Sequence, residues 1–141
     1  MSARAEKGAA EASGTRGWLI AAGISGAAAV ALGALAAHGG PEAPDRAQFL
    51  ATAQRFHLWH SLALALVAAL GWNGGPRALG WAGWAFLAGL VLFSGGLYLR
   101  AFSGIDLGPL VPVGGTAFIL GWLLLSLAGW QGLREGRRDP S

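Results

Sequence analysis

Three histidines and a few polar neighbours are the residues able to do chemistry in this otherwise apolar chain. His38 closes one apolar run, His57 and His60 open the next, Tyr98 and Arg100 end a third, and Asp106 stands in the connection that follows. An imidazole can move protons near neutral pH or ligate a metal through a neutral ring nitrogen. A guanidinium or a carboxylate at the edge of a membrane can pair with another charge or meet lipid phosphate. His57 and His60 are three residues apart and share roughly one helix face. His60 lies deepest, where an imidazole without partners is costly, so it must be hydrogen-bonded or face inward. Three readings stay open for it: a lock donating to a carbonyl of a neighbouring helix, a group handling protons or solute, and a metal ligand. His38, His60, Tyr98, Arg100 and Asp106 form the candidate polar cluster.

The chemistry stops there. Zinc needs three or four converging ligands, His-x-x-His alone does not supply them, and no HExxH motif is present, so no metal is assigned. Ser61, Ser94 and Ser126 lack a Gly-x-Ser-x-Gly setting. No phosphate-binding loop or dinucleotide fingerprint occurs, and the apolar runs contain no Asp or Glu. No catalytic residue and no cofactor are assigned.

The elements that must position the cluster are apolar runs at 18–37, 56–72, 79–99 and 110–130. Each approaches the roughly 20 residues that cross a hydrocarbon core. The runs are continuous rather than alternating, as helices require and barrel strands do not. The expectation is an all-α membrane protein, a bundle of four transmembrane helices. Composition agrees: of 141 residues 54% are hydrophobic and 12% charged, against about 25% charged in a soluble domain. So few charges cannot coat a small soluble protein. Gly39, Gly40 and Pro41 break the first run, Asn73 to Pro76 make a tight connection, and Pro109 or Pro112 starts the fourth helix. Residues 1–17 are expected to be a disordered tail and 131–141 a basic tail whose REGRRDPS end is disordered, and a short surface helix could begin near Pro44 or Asp45.

Trp18, Trp59, Trp72, Trp81 and Trp130 fall near the ends of runs, as indoles do at headgroups, and Trp122 near a middle, as a packing residue would. Tyr98 and Arg100 read as an interfacial finish to the third helix. Arg4, Lys7, Arg16, Arg77, Arg134, Arg137 and Arg138 lie on one side of a four-span arrangement, against Arg46, Arg55 and Arg100 on the other. The positive-inside rule then puts both termini in the cytoplasm. The first run is longer than the apolar region of a signal peptide and is followed by others, though Ala-Leu-Ala-Ala would suit a peptidase. Cysteine is absent, which excludes disulfides and thiolate metal sites. Basic residues are not interleaved with stacking rings on one face, so a nucleic-acid partner is not expected.

Small residues supply the packing surface. Ser25, Ala29, Gly33 and Ala37 repeat every four residues on the first helix, which also carries Gly26. Ser94 and Gly95 mark the third helix and Gly114 and Gly115 the fourth, and such residues let helix backbones approach closely. The Phe-Ser-Gly-Gly stretch could instead loosen or kink the third helix.

The stretches ALGALAAHGG, TAQRFHLWHSLALAL, VLFSGGLYLRAFSG and LGPLVPVGGTAFILGW resemble the DUF423 family, also called UPF0382, of small bacterial inner-membrane proteins. The resemblance runs from about Trp18 to Trp130. Its motifs fall on Gly33, Ala34, His38 and Gly39; on Phe56 and His60; on Phe93, Ser94, Gly95, Leu97 and Tyr98; and on Pro112, Gly114, Gly115, Gly121 and Trp122. Phe56, His57 and Gly96 depart from the residues common there, which ranks His57 below His38 and His60. The resemblance implies a multi-pass protein of unknown biochemical function and no substrate. The leading expectation is a structural or interaction role with the bilayer, copies of itself or another membrane protein as partners. The alternative is a small oligomeric permease whose outer gate includes His38, His60 and Tyr98.

Overall fold

Hydrocarbon offers backbone amides no water, so long apolar runs close their hydrogen bonds within helices. The computed structural model describes the backbone of residues 2–39, 41 and 43–138 and the side chains of residues 15–39, 41 and 43–134. Within them run α1 (Ser2–Gly39), α2 (Pro44–Leu70), α3 (Arg77–Gly89), a π-helical turn (Leu90–Ser94), α4 (Gly95–Ser103) and α5 (Leu110–Arg138). The chain is all-α, with α3, the π turn and α4 continuous, so four helical rods stand side by side among the described residues.

Helix ends follow local chemistry. Pro44 opens α2, where the first amide has no intrahelical partner to lose. Gly71 caps its C-terminus through amide contacts to Val67 and Ala69. Gly104, with φ 76°, caps α4 in a left-handed conformation that glycine adopts freely. The connection from α4 then reaches α5 at Leu110, between the two prolines.

Among the described residues three stretches are long and apolar enough to cross a membrane: Thr15–Gly39, Arg77–Ser103 and Leu110–Arg134. The expected 56–72 span is not among them. It is part of the longer α2, whose N-terminal part from Asp45 to His60 carries Asp45, Arg46, Gln54, Arg55 and both of its histidines, diluting the apolar run. The surface helix expected near Pro44 is not separate either; it continues without a break into that run. Helical backbone also extends through most of the expected tails, from Ser2 at one end to Arg138 at the other. Gly40, Glu42 and residues 139–141 lie outside the described residues.

Rods consecutive in the chain are antiparallel. Thr15 of α1 bonds Gly71 after α2, Ser25 meets Ser61, and Gly33 abuts Gln54, so rising numbers meet falling ones. On α5, Gly114 lies against Phe93, Phe118 against Gly89 and Gly121 against Phe86. α2 is central: α1 packs on one side of it, and α3, the π turn and α4 on another. One apolar core joins Leu64, Val67, Ala82, Phe86 and Phe118; a second joins Leu50, Ala53, Leu97, Tyr98 and Ala101.

The glycines divide by what they touch. A methyl group on Gly114 would meet the backbone of Leu92 and Phe93, whereas Gly26 and Gly23 have nothing within 4 Å. Gly33 is filled by Gln54, Gly115 touches the Phe93 ring at 3.5 Å, and Gly95 meets only a carbonyl of its own span at 3.7 Å. Gly83 and Gly96 also face neighbours, Trp18 and Val111, at 2.7 and 2.8 Å from where a Cβ would stand. The expected small ridge of α1 therefore meets α2 through Ser25, Ala29 and Gly33, while Gly26 lies off that contact.

The π turn carries one residue more per turn than an α-helix. Its Leu90 carbonyl accepts from the Gly95 amide. Ser94 lies within it, 1% exposed, and its hydroxyl has no hydrogen-bond partner. Gly114 seats α5 directly against this segment.

Candidate functional site

The two histidines of α2 face different neighbours. On a helix, three residues correspond to a rotation of about 300°, so side chains at that spacing flank a line rather than coincide. His60 turns toward α5 and His57 toward α1 and α4.

His60 is 5% exposed and enclosed by rings. It stacks on Phe118 with centroids 3.5 Å apart and planes 13° apart, with Phe56 nearly parallel at 5.8 Å and Phe86 tilted at 5.7 Å. Its Nδ1–H donates to the Phe56 carbonyl at 2.8 Å, and its Nε2 accepts from the Trp122 indole N–H at 3.2 Å. An indole can only donate and a carbonyl only accept, so these partners assign one neutral tautomer. Neither ring nitrogen is left for a metal or a solute in this arrangement. The carbonyl belongs to α2 itself, so the link between helices is made through Trp122 rather than through a carbonyl of another span.

His57 belongs to a polar chain between helices. Its Nδ1 lies 3.2 Å from the Tyr98 hydroxyl and its Nε2 lies 3.1 Å from Ser25 Oγ. Ser25 Oγ is 2.6 Å from Ser61 Oγ, and the Ser61 hydroxyl donates to the His57 carbonyl at 2.8 Å. That last bond uses the only proton of Ser61, so Ser25 must donate to Ser61. Ser25 in turn accepts from His57 Nε2–H, and Tyr98 donates to Nδ1. Every proton points the same way, from Tyr98 through His57 and Ser25 to Ser61. The Ser25–His57 pair is consequently in the wrong sense for a nucleophile and its base: the imidazole donates to the hydroxyl instead of accepting from it.

The remaining cluster residues lie elsewhere. Arg100 Nη1 pairs with Asp106 Oδ2 at 2.8 Å, both side chains more than a third exposed, and the guanidinium lies 4.3 Å above the Phe49 ring. Asp106 Oδ1 also accepts from the Gly108 amide at 2.9 Å, closing the turn before α5. Tyr98, expected at the headgroups, is 8% exposed and turned into the bundle. His38 is exposed at the end of α1, with no hydrogen bond or ring contact to the other four. The five residues thus form an ion pair, two separate imidazole-centred sets and a free-standing histidine. Among the described residues no three His, Cys, Asp or Glu side chains converge as a metal ion requires.

Sequence reasoning ranked His57 low and did not join Ser25 and Ser61 to it. A readable signal existed: Ser61 stands four residues after His57, the spacing at which a serine bonds the preceding carbonyl.

The family described as "Protein of unknown function (DUF423)" matches residues 32–115. The UPF0382 membrane protein YwdK of Bacillus subtilis is 39% identical over 115 residues, covering 79% of this chain and 94% of that protein. A UPF0382 membrane protein of Haemophilus influenzae is 34% identical over 119 residues, covering 81% and 94%. The UPF0382 membrane protein SAB0533 of Staphylococcus aureus is 32% identical over 117 residues, covering 81% and 95%. No solved structure matches the chain.

Proposed function

The chain belongs to the DUF423 family, the UPF0382 group of bacterial multi-pass membrane proteins, and from that premise we propose that it is a four-span packing and interaction element of the inner membrane. The observation that carries this reading is His60. A buried imidazole with both nitrogens occupied, stacked on Phe118, flanked by Phe56 and tied to Trp122, is built as a joint between α2 and α5. A gate would keep a nitrogen accessible.

The fourth crossing in this reading is α2. Its 27 residues reach about 40 Å at 1.5 Å per residue, beyond the roughly 30 Å hydrocarbon core. Its histidines have their partners inside the bundle, and its acid and arginines lie in the half nearest Pro44. Four crossings leave both termini on one side, and the arginine and lysine bias favours the cytoplasm. Cytoplasmic tails then flank a membrane domain of about residues 18–130. The Arg100–Asp106 pair and His38 form a polar rim at the opposite surface. Partners are the bilayer and, against the open faces of α1 and α5, a second copy or another membrane protein. Only 11% of the apolar window of α1 and 17% of that of α5 are buried within one chain.

The permease reading keeps one specific support: the ordered chain from Tyr98 through His57 to Ser25, which links three helices. Vesicles containing the purified chain and a pH-sensitive dye separate the two. The packing reading expects proton leak equal to that of empty vesicles, and a reduced level of folded protein for His60→Ala. Leak above empty vesicles that disappears in Tyr98→Phe would overturn it in favour of transport.

A further inference from the structure

The end of the bundle that holds the 71–76 connection carries a groove the packing role does not use. Its volume is about 440 Å³, and Thr15, Trp18, Gly71, Arg77 and Trp84 are among the residues that line it. We propose that this groove binds the headgroup of an anionic phospholipid, with the phosphodiester at Arg77 and the glycerol and upper acyl carbons against Trp18 and Trp84.

Position is the first argument. The uncharged run of α1 begins here after Arg16, α3 begins here at Arg77, and α2 ends here at Leu70. The groove therefore opens where hydrocarbon gives way to headgroups, and lipid is the ligand present there at highest concentration. Charge is the second. Among the described residues of the lining Arg77 is the one ionisable side chain, and none is acidic. Arg77 is exposed and forms no ion pair among the described residues. A guanidinium suits a phosphate because its donors form a planar fork. It also opens α3, whose first turn contains no acid and whose start has no side-chain cap, so the helix dipole adds to the same positive field.

The walls are the third argument. Trp18 and Trp84 meet edge to face with centroids 5.2 Å apart, and Trp18 packs on Gly83, so this corner is held in place. Thr15, 7% exposed, donates to the Gly71 carbonyl at 2.8 Å and fixes α1 against the connection. Indoles are at home at this depth because they offer both an apolar body and a polar edge. The site rests on membrane embedding alone and not on the packing reading.

Native mass spectrometry of the full chain released from nanodiscs tests it. The discs would contain phosphatidylglycerol or phosphatidylcholine, and the readout is lipid retained per chain. The expected result is one retained phosphatidylglycerol. Arg77→Gln should weaken retention about fivefold to tenfold, the range for removing one arginine near an anionic lipid, and Arg77→Lys should recover part of it. Gly80→Leu supplies an independent block: Gly80 also lines the groove, and an added Cβ there meets nothing within 4 Å, so the larger side chain fits without disturbing α3. It should lower retention with unchanged helical content. Arg55→Gln, at a different groove, should leave retention as it is. Equal retention of phosphatidylcholine, no retained lipid, or full retention in Arg77→Gln would overturn the proposal.

Discussion

Toward α5, α2 meets rings: His60 stacks on Phe118 with Phe56 beside it, closed by the Trp122 indole. Toward α1 it meets hydroxyls: His57 and Ser61 share Ser25, and Tyr98 completes the line from α4. The ring side is specified by shape, because stacked planes and backbones in contact admit little change in volume. The hydroxyl side is specified by direction, since each donor has one acceptor and reversing any bond leaves another unmade. Membrane helices gain little from hydrophobic burial against one another, so both devices are needed. They are expected to differ in strength, with shape the stronger.

The largest effect should come from emptying the ring side. His60→Ala removes the stack and leaves the Trp122 N–H without its acceptor, at a cost of about 3–4 kcal/mol by comparison with aromatic truncations. Thermal unfolding in detergent measures it, and a loss below about 1 kcal/mol would contradict a joint at this position. Next comes Gly114→Ala, whose Cβ would press on the Phe93 amide. Backbone cannot swing aside, so a loss of about 1–3 kcal/mol is expected. Gly26→Ala, which meets nothing within 4 Å, should be neutral or better by up to about 1 kcal/mol from helix propensity. If the two alanines shift the melting midpoint alike, the division of the glycines is mistaken.

The hydroxyl side should yield less. Tyr98→Phe and His57→Phe are each expected to cost about 1 kcal/mol, with a coupling near 0.6 kcal/mol in a double-mutant cycle. A coupling indistinguishable from zero would mean that the Tyr98–His57 bond does not order the chain. Smallest of all is the rim. Arg100→Gln or Asp106→Asn should change stability by less than about 1 kcal/mol, because the pair is solvated. Raising the salt concentration should erase even that difference.

Helix ends were legible from sequence where one residue carries the signal. Gly39 stops α1, Pro44 starts α2 and the Pro109–Pro112 pair brackets the start of α5, each through its own backbone chemistry. The apolar runs announced the membrane in the same local way. The site was less legible because its partners come from different helices, whose relative rotation depends on packing. His57 gains its role only when Ser25 and Tyr98 turn toward it. Gly26 shows the same limit from the other direction, since glycine count does not reveal which face meets a neighbour. Trp122 was readable as a packing residue from its mid-run position, but nothing in one dimension linked it to His60.

The π turn separates two stretches that a single helical wheel would merge. The wider turn absorbs one residue, so the side chains after it lag by about 100° behind the positions a continuous α-helix would give them. The lipid-facing stripe that passes Trp81 and Trp84 therefore does not continue in register through Leu99 and Phe102. A saturation scan of 77–103 should show two tolerance waves of equal period, offset in phase at Leu90, and deleting one residue from Leu90–Ser94 should bring them into step while leaving Tyr98 facing His57.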